Sequence, residues 1–176
     1  MAGGPAIGHT GYVNRHSRML GGLTSAALLA PAMLIAPAAE ALPAVMISQI
    51  VYDSFGATKD DYSTRSLNAE YIVLKNTTSV SRTVTGWTVK DATGFRYTLP
   101  TTTIPAKGTV RIHTGKGTNT NARGATTPGH RYWGKTSYVW NNTGDTATLR
   151  NRAGSLVDTC KYTDKSTKDS IKSVAC

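Results

Sequence analysis

Cysteine, acidic residues and helical periodicity are all scarce in this chain of 176 residues. Its two cysteines, Cys160 and Cys176, lie near the C-terminus. With His113 and His130 at unrelated spacings, they cannot build the four-ligand set a structural zinc demands. No Gly-x-Ser-x-Gly elbow presents a serine to a base, and no metal or cofactor motif stands in its place. Acidic residues number 10 against 20 Lys and Arg, a net charge of +10. Such an excess suits anionic partners such as nucleic acid, teichoic acids or acidic lipid surfaces, and equally serves solubility. Helical periodicity is missing throughout the chain after residue 41, which excludes helical bundles.

What is present begins with an export signal. Arg15 and Arg18 precede a charge-free apolar run from Met19 to Pro37, and Ala39-Glu40-Ala41 follows as a small-x-small cleavage site. Gly21, Gly22 and Pro31 interrupt a run that barely reaches the ~20 residues of a membrane span. The expectation is a helical signal peptide over residues 1–41, removed on secretion, with no integral span afterwards. The absence of a twin arginine points to general secretion. About 135 residues remain, enough for one domain with a core. An even cysteine count in an exported chain favours one disulfide, Cys160 with Cys176, closing a ring of roughly 15 residues. Its expected task is to tie a polar tail, residues 164–176, onto the domain over 42–163.

Short period-two segments separated by turns fill that domain. Val45–Tyr52 reads as a strand with Val45, Ile47 and Val51 on one face and Met46, Ile50 and Tyr52 on the other. Asp53–Ser66 reads as a long exposed loop, and Leu67–Lys75 as the second strand. Thr83–Asp91 carries Trp87 and Val89 on one face, and Asp91-Ala92-Thr93-Gly94 turns it into Phe95, Tyr97 and Leu99. Val110 and Ile112 mark another strand, and Gly115–Gly129 is a loop of a length that is often functional or mobile. Asn141-Asn142-Thr143-Gly144-Asp145 is turn chemistry that feeds the strand of Ala147 and Leu149. A last strand runs from Ser155 to Tyr162, and the whole predicts an all-β sandwich.

Several of these segments resemble successive signatures of the lamin-tail domain family. They are Ile50–Asp53, Asn68–Asn76, Gly86–Asp91, Phe95–Pro100, Val110–Thr120, Tyr132-Trp133-Gly134, Tyr138–Asn151 and Gly154–Cys160. They fall in the family's order over roughly residues 45–162, and the chain is most similar to a secreted bacterial branch with a single such domain. The resemblance implies an immunoglobulin-like β-sandwich, a binding or scaffolding role without catalysis, and no cofactor.

Candidate sites are few. His113-Thr114-Gly115-Lys116-Gly117-Thr118 looks like a phosphate loop, but Val110 stands where the first glycine is needed and no helix follows. Nucleotide binding is excluded, and weak anion contact at Lys116 stays open. Asp53, Asp60 and Asp61 offer a loop of carboxylates, too few and wrongly spaced for an EF-hand, so a solvated acidic loop or a weak calcium site remain the alternatives. Asp145 and Asp158 read as structural. Trp87 is expected in the core. Trp133 and Trp140, flanked by Arg131 and Lys135, could be core or a stacking surface for a polyanion. The binding candidates are therefore Trp133, Trp140, Arg131, Lys116 and Lys135, facing a nucleic acid, a cell-wall polyanion or an extracellular protein. A small extracellular enzyme or hydrolase accessory subunit, using His113, is the rival reading.

Overall fold

Strand β1, Val45–Asp53, shows how the chain departs from simple alternation. Its register against β2, Tyr71–Asn76, slips between Ile47 and Gln49, inserting an extra residue at Ser48. A bulge of this kind shifts the phase of every later side chain. Val45, Ile47, Ile50 and Tyr52 therefore all join the core, and Val51 leaves the set predicted for it. The Asp158 carboxylate accepts the Ile47 amide at 2.7 Å, supplying the partner that this end of β1 lacks.

The computed structural model describes residues 41–53, 61–164 and 172–176. The expected signal peptide and Asp60 lie outside them. The remaining strands are β3 Arg82–Thr83, β4 Thr88–Lys90, β5 Arg96–Thr98, β6 Thr103–Ile104, β7 Thr109–His113, β8 Gly129–Tyr132, β9 Gly144–Arg150, β10 Leu156–Thr163 and β11 Lys172–Ala175. They form a five-stranded sheet, β11-β1-β2-β7-β8, a four-stranded sheet, β10-β9-β4-β5, and a β3-β6 ribbon. All pairings are antiparallel except β7 with β8.

The all-β immunoglobulin-like sandwich is thus the observed fold. Ile47, Ile50, Ile72, Leu74, Val110 and Ile112 from one sheet meet Val89, Ala147, Leu149 and Tyr162 from the other in one apolar cluster. Truncating any of the large aliphatics to alanine removes about 2–5 kcal/mol through lost burial and the cavity left behind.

Three sequence expectations are corrected. The loop expected over Asp53–Ser66 ends in a helix, α1 (Thr64–Ala69), which displaces the start of the second strand to Tyr71. Ser63 caps it by accepting the Ser66 amide at 3.1 Å, and Leu67 is its buried apolar anchor. Six residues are too few to display a helical period. The strand expected over Thr83–Asp91 is broken by Gly86 at φ +78°, so Trp87 sits partly buried beside the core rather than within a continuous strand. Finally, the expected tail is not an appendage. Cys160 and Cys176 are bonded, with Cα atoms 5.7 Å apart, and β11 completes the five-stranded sheet beside β1.

Candidate functional site

Of the five residues predicted to bind, two are interior. Trp140 is 1 % exposed, and its ring meets the Trp133 ring edge-on at 6.2 Å. Its amide and that of Val139 bond the carboxylate of Glu70, which is itself fully buried and also accepts the Thr114 hydroxyl at 2.5 Å. Tyr162 closes the same region by donating to the Asn141 carbonyl at 2.8 Å. Burial, with the Asp145 charge second, pushes its phenol well above the ordinary range.

Arg131 is 2 % exposed. Its guanidinium donates to the Thr102 hydroxyl, to the carbonyls of Thr101, Thr120 and His130, and to Asn121 Oδ1. Both side chains are thus buried in the chain's own interior, which for Trp140 is the core alternative of the sequence reading. The sequence shows both beside a loop but not that the loop folds over them.

The other three lie outside the core. Trp133 is half-buried against Tyr97 at 5.5 Å, and Lys135 sits over the Phe95 ring at 4.3 Å. Lys116 is exposed, while its carbonyl accepts Asn68 Nδ2. Amides of Trp133, Gly134 and Lys135 donate to His113, Gly115 and Thr114, drawing the two segments together. His113 uses both ring nitrogens, on the Asn68 carbonyl at 2.6 Å and on His130 Nδ1 at 2.9 Å, so neither is left to activate a nucleophile.

A more coherent surface lies on the outer face of the four-stranded sheet. Val89, Tyr97, Ala147, Leu149 and Cys160 point inward, so their strand neighbours point out. Those neighbours are Thr88 and Lys90, Arg96 and Thr98, Thr146, Thr148 and Arg150, and Thr159 and Lys161. Lys90 stands directly opposite Arg96 on one side and Thr148 on the other, while Thr88 faces Arg150 and Thr146 faces Lys161. A shallow cleft of about 490 Å³ runs across this face. Among the described residues none of these four cations is in an ion pair. Asp91, which lines the cleft next to Lys90, and Asp145 are buried in adjoining turns. Asp91 accepts the Gly94 amide, and Asp145 accepts those of Ala92, Asn141 and Thr146.

Comparison with protein families places this arrangement. A family profile described as Lamin Tail Domain matches residues 38–164, most of the chain. The chain belongs to the lamin tail domain family. No curated protein matches it. In this lamin tail domain the family signatures coincide with structural positions. The Asn141–Asp145 turn holds β9, and Gly154–Cys160 leads into the strand that carries the disulfide. The basic sheet face escaped the residue-by-residue reading because its cations are spread over four strands. The signal the sequence does carry is the alternation within each strand, which sets Lys90, Arg96, Arg150 and Lys161 beside the inward-facing Val89, Tyr97, Leu149 and Cys160.

No cluster of three or more metal-ligating side chains occurs among the described residues. Asp53 ends β1, and the Ser63 hydroxyl, followed by the Ser63 amide that Asp61 accepts at 2.8 Å, holds the Asp61 carboxyl below the usual range. Among the described residues no helix is long and apolar enough to cross a membrane.

Proposed function

We propose that this lamin tail domain is a secreted, non-catalytic adhesion module that holds an anionic polymer, a nucleic acid or cell-wall polyanion, at the cell envelope. The observation that carries the reading is the outer face of the four-stranded sheet, with Lys90, Arg96, Arg150 and Lys161 set among threonines. Like charges directly opposite on neighbouring strands, as Lys90 and Arg96 are, cost stability by some tenths of a kcal/mol. A face retained at that cost is suited to a ligand that neutralises it. The threonine hydroxyls between the cations add donors to phosphate oxygens without reading sequence. Export is supported by the signal-like N-terminus and by the Cys160–Cys176 bond, since disulfides persist in oxidising compartments. Absence of catalysis is supported by the family and by the occupied nitrogens of His113.

The test is a salt titration. If four cations each neutralise one phosphate, affinity falls with salt at a log–log slope of about −2.8 to −3.6. Between 50 and 200 mM salt, binding to DNA or teichoic acid therefore weakens by roughly 50- to 150-fold. Replacing Lys90, Arg96, Arg150 and Lys161 together by glutamine abolishes the slope. Salt-independent binding, or a quadruple variant that binds as the native chain does, refutes the reading.

A further inference from the structure

The Gly115–Gly129 loop is built rather than loose. Thr120 and His130 exchange backbone hydrogen bonds at 3.0 Å in both directions, and Arg123 pairs with Thr127. Gly129 lets the strands close up: a Cβ there would come within 2.8 Å of the Ala122 nitrogen. Beneath the loop, the Arg131 guanidinium ties Thr120, Asn121 and His130 to Thr101 and Thr102. The result is a cleft of about 440 Å³ lined by Thr120, Asn121, Arg123, Thr127, Pro128 and His130. It belongs to the β8 side of the five-stranded sheet, apart from the basic face described above.

The chemistry of the lining has one sign. Arg123 is exposed, and the segment around it, residues 92–144, has no carboxylate. Asn121 gives its carbonyl oxygen to Arg131, which leaves its NH₂ to donate. The histidine tautomers follow from geometry. His113 Nδ1 faces a backbone carbonyl, which only accepts, so it carries the proton. His113 Nε2 must then accept from His130 Nδ1–H, and His130 Nε2 is the nitrogen left for the cleft that this ring lines.

We propose that this cleft is a separate subsite for a single phosphate- or sulfate-type oxyanion, held between Arg123 and His130 with Asn121 and the threonines as neutral donors. A proton added at His130 Nε2 keeps both existing imidazole hydrogen bonds and turns the ring into a second cationic donor, so acid strengthens the site. The ring is faced by His113 and Arg111 of β7, with Tyr71 and Tyr132 packed on His113 and Arg123 and Arg131 on the loop side. Burial, then Arg111, hold His130 below the ordinary histidine value. Burial does the same to His113, against the pull of the Asn68 carbonyl. The pair is therefore neutral at neutral pH, and a bound anion raises its proton affinity by linkage.

Inorganic sulfate and dimethyl phosphate are the probes, because both keep their charge between pH 5.0 and 7.5. Their binding to the full chain is followed by NMR shifts of the His130 ring and the loop amides. Affinity is expected to rise about tenfold on acidification from pH 7.5 to 5.0. His130→Gln removes that rise and leaves neutral-pH binding in place, while Arg123→Gln weakens binding about tenfold at both pH values. Probe-induced shifts of the His130 ring and the loop amides report on this cleft, while the salt dependence of polymer binding reports on the basic face, so failure of one and failure of the other are told apart. Binding of both probes supports a diester of a polymer as the natural occupant, and binding of sulfate alone supports a free anion. Shifts that miss Arg123 and His130, or a pH response that persists in His130→Gln, overturn the proposal.

Discussion

Arg131→Lys is the substitution that most directly separates an interior arginine from a surface one. The guanidinium spans acceptors from three places: Thr101 and Thr102, Thr120 and Asn121 in the loop, and its own strand at His130. A lysine ammonium offers three donors from one point and cannot match a planar fork that bonds in several directions. At least two of the five acceptors lose their bond to it. Hydrogen bonds to a charged donor are worth about 1.5–3 kcal/mol each, and the Thr120 and His130 carbonyls keep each other's amides as partners, so the loss lies in the guanidinium bonds themselves. The expected loss is thus about 3–5 kcal/mol, a large part of the stability of one domain. Urea denaturation followed by tryptophan fluorescence reads it directly, since Trp140 lies in the core and Trp133 packs against it. Hydrogen exchange should also speed up at the Thr120 and His130 amides, which bridge loop to strand. A variant within 1 kcal/mol of the native chain, with those amides still protected, would refute the argument.

Two further outcomes follow from the same interior. His113 and His130 both titrate below the ordinary histidine value of 6.5 when folded, so the unfolded chain takes up protons first as pH falls. Stability is constant above that value and declines from it towards the lower folded pKa values, so the urea midpoint at pH 5.0 should lie below that at pH 7.5. His113→Gln should flatten most of this difference, and an equal midpoint in the native chain would contradict it. Reduction of Cys160–Cys176, a separation of 16 residues, should cost about 3 kcal/mol in the chain-entropy account and release β11. Rapid exchange at Ser173–Ala175 after reduction checks this, and unchanged protection there counts against it.

How much of this was legible depended on range. Ile72, Leu74, Val110, Ile112, Ala147 and Leu149 announce their faces through local alternation, and all six are buried. The Asp91–Gly94 and Asn141–Asp145 turns announce themselves through side chains that bond their own backbone. What could not be read depended on partners far along the chain. The bulge in β1 is paired with Asp158, 111 residues away, and the buried carboxylate of Glu70 with amides about 70 residues on. Arg131 and Trp140 have the composition of a binding surface, because the same large, partly polar side chains serve interiors and interfaces alike. The basic sheet face was hidden for the opposite reason. Each cation alone is an ordinary outward strand residue, and only the pairing of β4, β5, β9 and β10 assembles them.

The position of β11 also sets an order of events. Ser173 lies 124 residues after its neighbour Gln49, so the contacts that cover β1 are among the most non-local in the fold. Contacts of that range form slowly, because the chain entropy of closing the intervening loop is lost before they reward it. Until β11 docks, one edge of a strand rich in valine and isoleucine stays open to pairing with another chain. The disulfide between β10 and Cys176 then fastens the segment over that edge. In kinetic terms it acts as a latch against aggregation as well as a contributor to stability.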